Sequence, residues 1–160
     1  MLLYSPRWLF LYPGAFLTFT GAIAVIWLLF GPRTVGAVTF DVHSLVYAAM
    51  AILLGFQAVT FAMFTKVFAI SEGLLPEDPR LNRLFRLITL EVGLMIGGLV
   101  TITGVALTIY AVAFWGSHHF GPLNPIHTLR LVIPAATLLT LGFEIIFSSL
   151  FLSVLGLGRR

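Results

Sequence analysis

The chain has no cysteine, and only 9% of its 160 residues are Asp, Glu, Lys or Arg. The first absence excludes disulfides and thiolate metal sites and leaves the redox compartment open. The second excludes a soluble surface, because soluble domains carry about 25% charged residues. There is also no Asp-x-Asp, no phosphate-cradling glycine loop and no Ser-His-Asp arrangement. No reaction is therefore spelled out by a motif. The few basic residues flank apolar runs rather than forming a soluble face, so nucleic-acid binding has no support.

What fills the chain is apolar sequence: 59% hydrophobic residues and a mean hydropathy of +1.06. Lipid is then the main solvent. Trp8 to Phe30 is free of charge and, at 23 residues, exceeds the ~20 needed to span a bilayer. A signal peptide would have an apolar core of roughly 7–15 residues, so a retained helix is preferred. The expected spans are 8–30, 43–70, 87–115 and 127–157. The expected architecture is all-α: one membrane domain over residues 1–160, built as two helical hairpins. Gly31-Pro32, Gly73 with Pro76, and Gly121-Pro122 supply the breaks.

Eight of the fifteen charged residues fall between Lys66 and Glu91. Asp78-Pro79 has the form of a helix N-cap followed by proline at the first helical position. Leu81, Leu84, Phe85 and Ile88 share one helical face, and Arg80, Arg83 and Arg86 lie elsewhere around it. The segment 71–86 is therefore expected to lie at the membrane surface as an amphipathic helix joining the second and third spans. With four spans, Arg7, Lys66, Arg80, Arg83, Arg86, Arg159 and Arg160 share a side, against Arg33 and Arg130 on the other. The positive-inside rule makes both termini and the central segment cytoplasmic.

Three short matches mark an internal repeat. Thr18-Phe19-Thr20-Gly21 pairs with Thr101-Ile102-Thr103-Gly104 at an offset of 83. His43-Ser44-Leu45 pairs with His127-Thr128-Leu129 at 84, and Leu54-Gly55-Phe56-Gln57 with Leu141-Gly142-Phe143-Glu144 at 87. Two hairpins of like topology would be related by an axis along the membrane normal. Gly93-x-x-x-Gly97 offers a smooth face for close helix approach.

Glu144 falls near the middle of the fourth span, where an acid costs ~2.5–3.5 kcal/mol on insertion scales and must face protein. Gln57 occupies the repeat-equivalent place, and Glu91 lies closer to the cytoplasmic end of the third span. Together Gln57, Glu91 and Glu144 could line a polar cleft open toward the cytoplasm, or serve as hydrogen-bond glue between helices. Lys66, Arg80, Arg83 and Arg86 form a cationic rim suited to a lipid phosphate, since guanidinium groups pair with phosphate oxygens in bidentate fashion. Anionic headgroup binding and topology are the plainer account of the same residues. His118-His119 and His127 lie in the outer link, no carboxylate but Asp41 accompanies them on that side, and neighbouring histidines do not converge easily on one ion. No metal site and no catalytic residue are assigned.

HSLVYAAMAILLGFQ, KVFAISEGLLPEDPRL and TLRLVIPAATLLTLGFEIIFSSLFLSVLGL together resemble the C-terminal membrane region of bacterial family 2 glycosyltransferases of the dolichol-phosphate or polyprenyl-phosphate glucose or mannose synthase type. The resemblance implies an enzyme whose cytoplasmic domain binds a nucleotide-sugar and a divalent metal through an Asp-x-Asp motif. Its membrane helices would anchor it in the inner membrane and present a polyprenyl phosphate. That catalytic domain is missing here, so no catalytic residue carries over and no cofactor is expected in this chain, which is expected to be inactive alone. The implied partners are membrane lipid, polyprenyl phosphate and a catalytic domain in cis or trans, with a homo-oligomer left open. A small flippase or transport subunit for lipid-linked sugars and a non-catalytic interaction subunit are the alternatives.

Overall fold

A computed structural model describes residues 7–75 and 90–157. Within them lie four helices, each long and apolar enough to cross a membrane: α1 (Tyr12–Leu29), α2 (Val42–Ser71), α3 (Leu90–Ser117) and α4 (Pro125–Leu157). These agree with the expected spans to within a few residues. A π-helical turn, Arg7–Leu11, precedes α1. Pro13 stands just after it and has no N–H to give the carbonyl one turn back, which favours a wider winding ahead of it.

The helix ends follow the local chemistry. α2 closes in a Schellman motif: Gly73 takes φ +69°, the Leu74 amide donates to Ala69 O at 2.8 Å and the Gly73 amide to Ile70 O at 3.1 Å. α4 opens on Asn124, whose Oδ1 accepts the Ile126 amide at 3.0 Å, with Pro125 at the first helical position. Pro134 sits inside α4 and leaves the Arg130 carbonyl without its usual partner in the helix. The interfacial segment expected over 71–86 is described only as far as Leu75, where it completes α2 and its cap. Its remainder, including Arg80, Arg83 and Arg86, lies outside the described residues.

The link between α1 and α2 was expected to be a simple polar break. It is instead a two-stranded antiparallel hairpin, β1 (Arg33–Val35) and β2 (Val38–Phe40), with Val35 opposite Val38. Gly36, at φ +63°, opens the two-residue turn, the position where such turns favour glycine.

Packing runs α1 on α2, α2 on α4 and α4 on α3, so α2 and α4 form the central seam. α1 meets α2 through Gly14 and Gly21. A Cβ at Gly14 would lie 2.8 Å from Gly55 O, and one at Gly21 would lie 2.7 Å from Ala48 O and 3.0 Å from Ile52 N. α3 meets α4 in the same way through Gly97 and Gly104. The corresponding Cβ atoms would lie 3.0 Å from Gly142 O and 2.6 Å from Leu139 N, with Ala135 O at 3.1 Å from the second. Small residues let these backbones touch where lipid gives no hydrophobic drive between helices. Thr18 Oγ1 donates to Gly14 O at 2.9 Å, and Thr101 Oγ1 to Gly97 O at 2.8 Å. Each threonine also crowds the facing glycine, Gly55 or Gly142.

These contacts are the repeat made physical. Gly14, Thr18 and Gly21 map onto Gly97, Thr101 and Gly104 at one offset, 83. Ala48, Ile52 and Gly55 map onto Ala135, Leu139 and Gly142 at another, the 87 that also separates Gln57 from Glu144. A continuous helix pair keeps one register, so the counterpart of His43 is Arg130 and not His127. The histidine match at 84 is therefore outside the structural repeat. Both α2 and α4 start on the side of the α1–α2 and α3–α4 links, here the loop side, and end on the side where α1 and α3 begin, here the terminal side. The seam is parallel.

Candidate functional site

The centre of the seam is polar. Gln57 Nε2 donates to Glu144 Oε1 at 2.9 Å, joining the two repeat-equivalent positions that the sequence singled out. Glu144 Oε2 is buried and accepts no hydrogen bond among the described residues. One heptad further along α2, Phe64 meets its own repeat mate, Phe151, edge to face with ring centroids 4.7 Å apart. Equivalent residues that meet at a spacing of seven are the mark of a parallel helical seam, in which like positions face each other. Val67 and Leu152, both buried, close the seam with Met63, Ile70 and Leu155.

Beside this seam, from mid-span toward the terminal side, runs a groove of about 630 Å³ between α2 and α4. Gln57, Thr60 and Glu144 give it a polar inner end; Phe64, Phe151 and Val154 give it apolar walls. Thr60 Oγ1 is spent on the carbonyls of Phe56 and Gln57, at 3.0 and 2.9 Å. Ser148 adds a further hydroxyl to the lining, and the unmatched Glu144 oxygen lies buried at the polar end. Lys66 follows Phe64 by two residues on α2, half-buried near the terminal end.

Glu91, expected in the same cleft, is not there. It occupies the first turn of α3, exposed, and is absent from the groove's lining. The reason is helical geometry: at 3.6 residues per turn it sits roughly 200° around α3 from Gly93, the glycine that abuts Ser149 of α4. Its charge sits instead at the positive end of the α3 dipole.

The loop side holds a contact the sequence reading missed. Arg130 of α4 reaches across to the first hairpin, pairing its Nη2 with Asp41 Oδ1 and giving Nη1 to Leu28 O at 3.4 Å. Both side chains are largely buried. Asp41 is the residue before α2 and Leu28 O is a carbonyl of the last turn of α1, so one guanidinium ties the loop-side ends of both helices of the first hairpin to the second. The signal was present: Asp41 is the only acid expected on that side.

Among the described residues no three His, Asp or Glu side chains converge where a metal ion could bind. The divalent metal that the resemblance implies has no ligand set among them.

Residues 63–156 match the family described as glycosyltransferase family 2 C-terminal transmembrane region. Over 157 residues the chain is 30% identical to the low-salt glycan biosynthesis hexosyltransferase Agl6 of Haloferax volcanii. That alignment covers 98% of this chain and 37% of the relative, so the chain spans little more than a third of that protein's length. No solved structure matches the chain.

Proposed function

We propose, for a chain that belongs to the glycosyltransferase family 2 C-terminal transmembrane region, that it anchors a hexosyl-transferring enzyme and presents a polyprenyl-phosphate acceptor at the cytoplasmic face. The observation that carries this is the groove between α2 and α4. It has apolar walls for an isoprenoid tail and runs toward the terminal side, the half of α2 that carries Lys66. Lys66, with Arg80, Arg83 and Arg86 of the sequence, would hold the lipid phosphate there. The lysine and arginine distribution supports a cytoplasmic terminal side. Sugar transfer itself belongs to a catalytic domain joined to this region or assembled with it.

The test is steady-state kinetics in an enzyme carrying this region. Lys66→Ala and Arg83→Ala are expected to raise the acceptor KM while leaving the donor KM unchanged. Unchanged acceptor KM in both variants would remove the acceptor role.

A second reading, a flippase for lipid-linked sugars, is favoured by one feature: a buried carboxyl oxygen at mid-span without a partner among the described residues. Translocation of a lipid-linked sugar in vesicles holding this chain alone would support it over the acceptor role.

A further inference from the structure

A second cavity, of about 690 Å³, lies on the loop side between α3 and α4, bounded by Thr108, Ala111, Trp115, Val132, Ala136 and Thr140. It has the groove's apolar character but sits in the opposite half of the membrane. The two are not separate features of α4. Val132, Ala136, Thr140, Glu144, Phe151 and Val154 recur at helical spacing and lie along one face of that helix. Glu144 and Phe151 meet Gln57 and Phe64 of α2 along one edge of the stripe, and apart from half-buried Glu144 the other five residues are exposed among the described residues.

The loop-side cavity is also a departure from the repeat. In the first hairpin the equivalents of Ala111, Val132 and Ala136 are Leu28, Leu45 and Ala49, and all three are buried. Ala111 leaves open in the second hairpin what Leu28 fills in the first, where Arg130 also reaches in against the Leu28 carbonyl and Gly31. A generic crevice between packed helices would occur in both halves.

The geometry points to a single extended binding track along α4 that seats one long polyprenyl chain across both leaflets, the loop-side cavity being its distal subsite. This rests on the acceptor role proposed above. Length decides between one chain and two. From Thr128 to Val154 the track runs about 39 Å at 1.5 Å per residue, longer than the ~30 Å hydrocarbon core. An ordinary acyl chain reaches only about half that core from its own headgroup. A long isoprenoid anchored by its phosphate on the terminal side can occupy both cavities; a short one fills the nearer alone.

The experiment measures affinity of the purified full chain in lipid nanodiscs for two polyprenyl monophosphates, one of single-leaflet length and one longer than the bilayer is thick. Wild type is expected to bind the long chain more tightly, on the order of tenfold. Ala111→Leu, which installs the residue of the first hairpin, and Ala136→Phe should each abolish that preference. Both should leave short-chain affinity unchanged, which also reports that the variant is folded. Equal affinity for the two lengths in wild type, or a preference that survives both fillings, would overturn the distal subsite and assign the cavity to bulk lipid. Failure to bind either length would overturn the acceptor role instead.

Discussion

Gln57 and Glu144 stand 87 positions apart in sequence and 2.9 Å apart in space, the same place in two repeated hairpins brought face to face. A local axis along the seam between α2 and α4 brings like positions together, as Phe64 and Phe151 confirm one heptad further on. The pair differs in one atom: the repeat holds an amide on one side and a carboxyl on the other. A donor thus meets an acceptor where identical acids would repel.

Gln57→Leu would leave the half-buried Glu144 carboxyl without its donor, at a cost of about 1–3 kcal/mol. The double variant Gln57→Leu/Glu144→Leu should regain most of that loss, because removing both partners leaves no polar group stranded. Chemical denaturation in a matched detergent checks the order of the three.

The glycine contacts give a sharper contrast. Gly104→Ala drives a Cβ to 2.6 Å from the Leu139 backbone nitrogen and should cost about 1–3 kcal/mol by pushing α3 off α4. Gly98→Ala meets nothing within 4 Å and should be neutral, or stabilising by up to about 1 kcal/mol through helix propensity. Melting temperatures of the two variants, measured side by side, test the helix register directly.

Arg130→Ala and Asp41→Ala should each loosen the loop side, and their effects should not add. A double-mutant cycle is expected to return a coupling of about 0.5–3 kcal/mol. Additive losses would mean that the ion pair does not join the hairpins.

Much of this was written plainly in the chain. Apolar runs of more than 20 residues, the fourth interrupted only by Glu144, mark four spans, because a bilayer demands length and little else. The offsets of 83 and 87 survive as contacts, because glycine and threonine at helix crossings leave little freedom of register. The histidine match failed because residues at a helix start are set by capping and by the link before them rather than by the crossing. The β-hairpin of residues 33–40 was missed although Val35-Gly36-Ala37-Val38 has the right turn chemistry; beside a long apolar helix it reads as a mere break. Glu91 was placed in the cleft by depth alone, when its angle around α3 decides where it points. Arg130–Asp41 joins residues 89 apart, and the sequence offers only their scarcity as a clue. The cavity at Ala111 depends on one missing side chain set against its repeat mate, and shows only when both hairpins are in register.

The acceptor role is tested most directly by the affinity of the purified chain in lipid nanodiscs for a polyprenyl phosphate, compared with the polyprenol of the same length. If the groove takes the tail and the cationic positions take the phosphate, the phosphate form binds more tightly, and Lys66→Ala and Arg83→Ala narrow the gap between the two ligands. Equal affinity for phosphate and alcohol, or a gap that neither substitution changes, would contradict it.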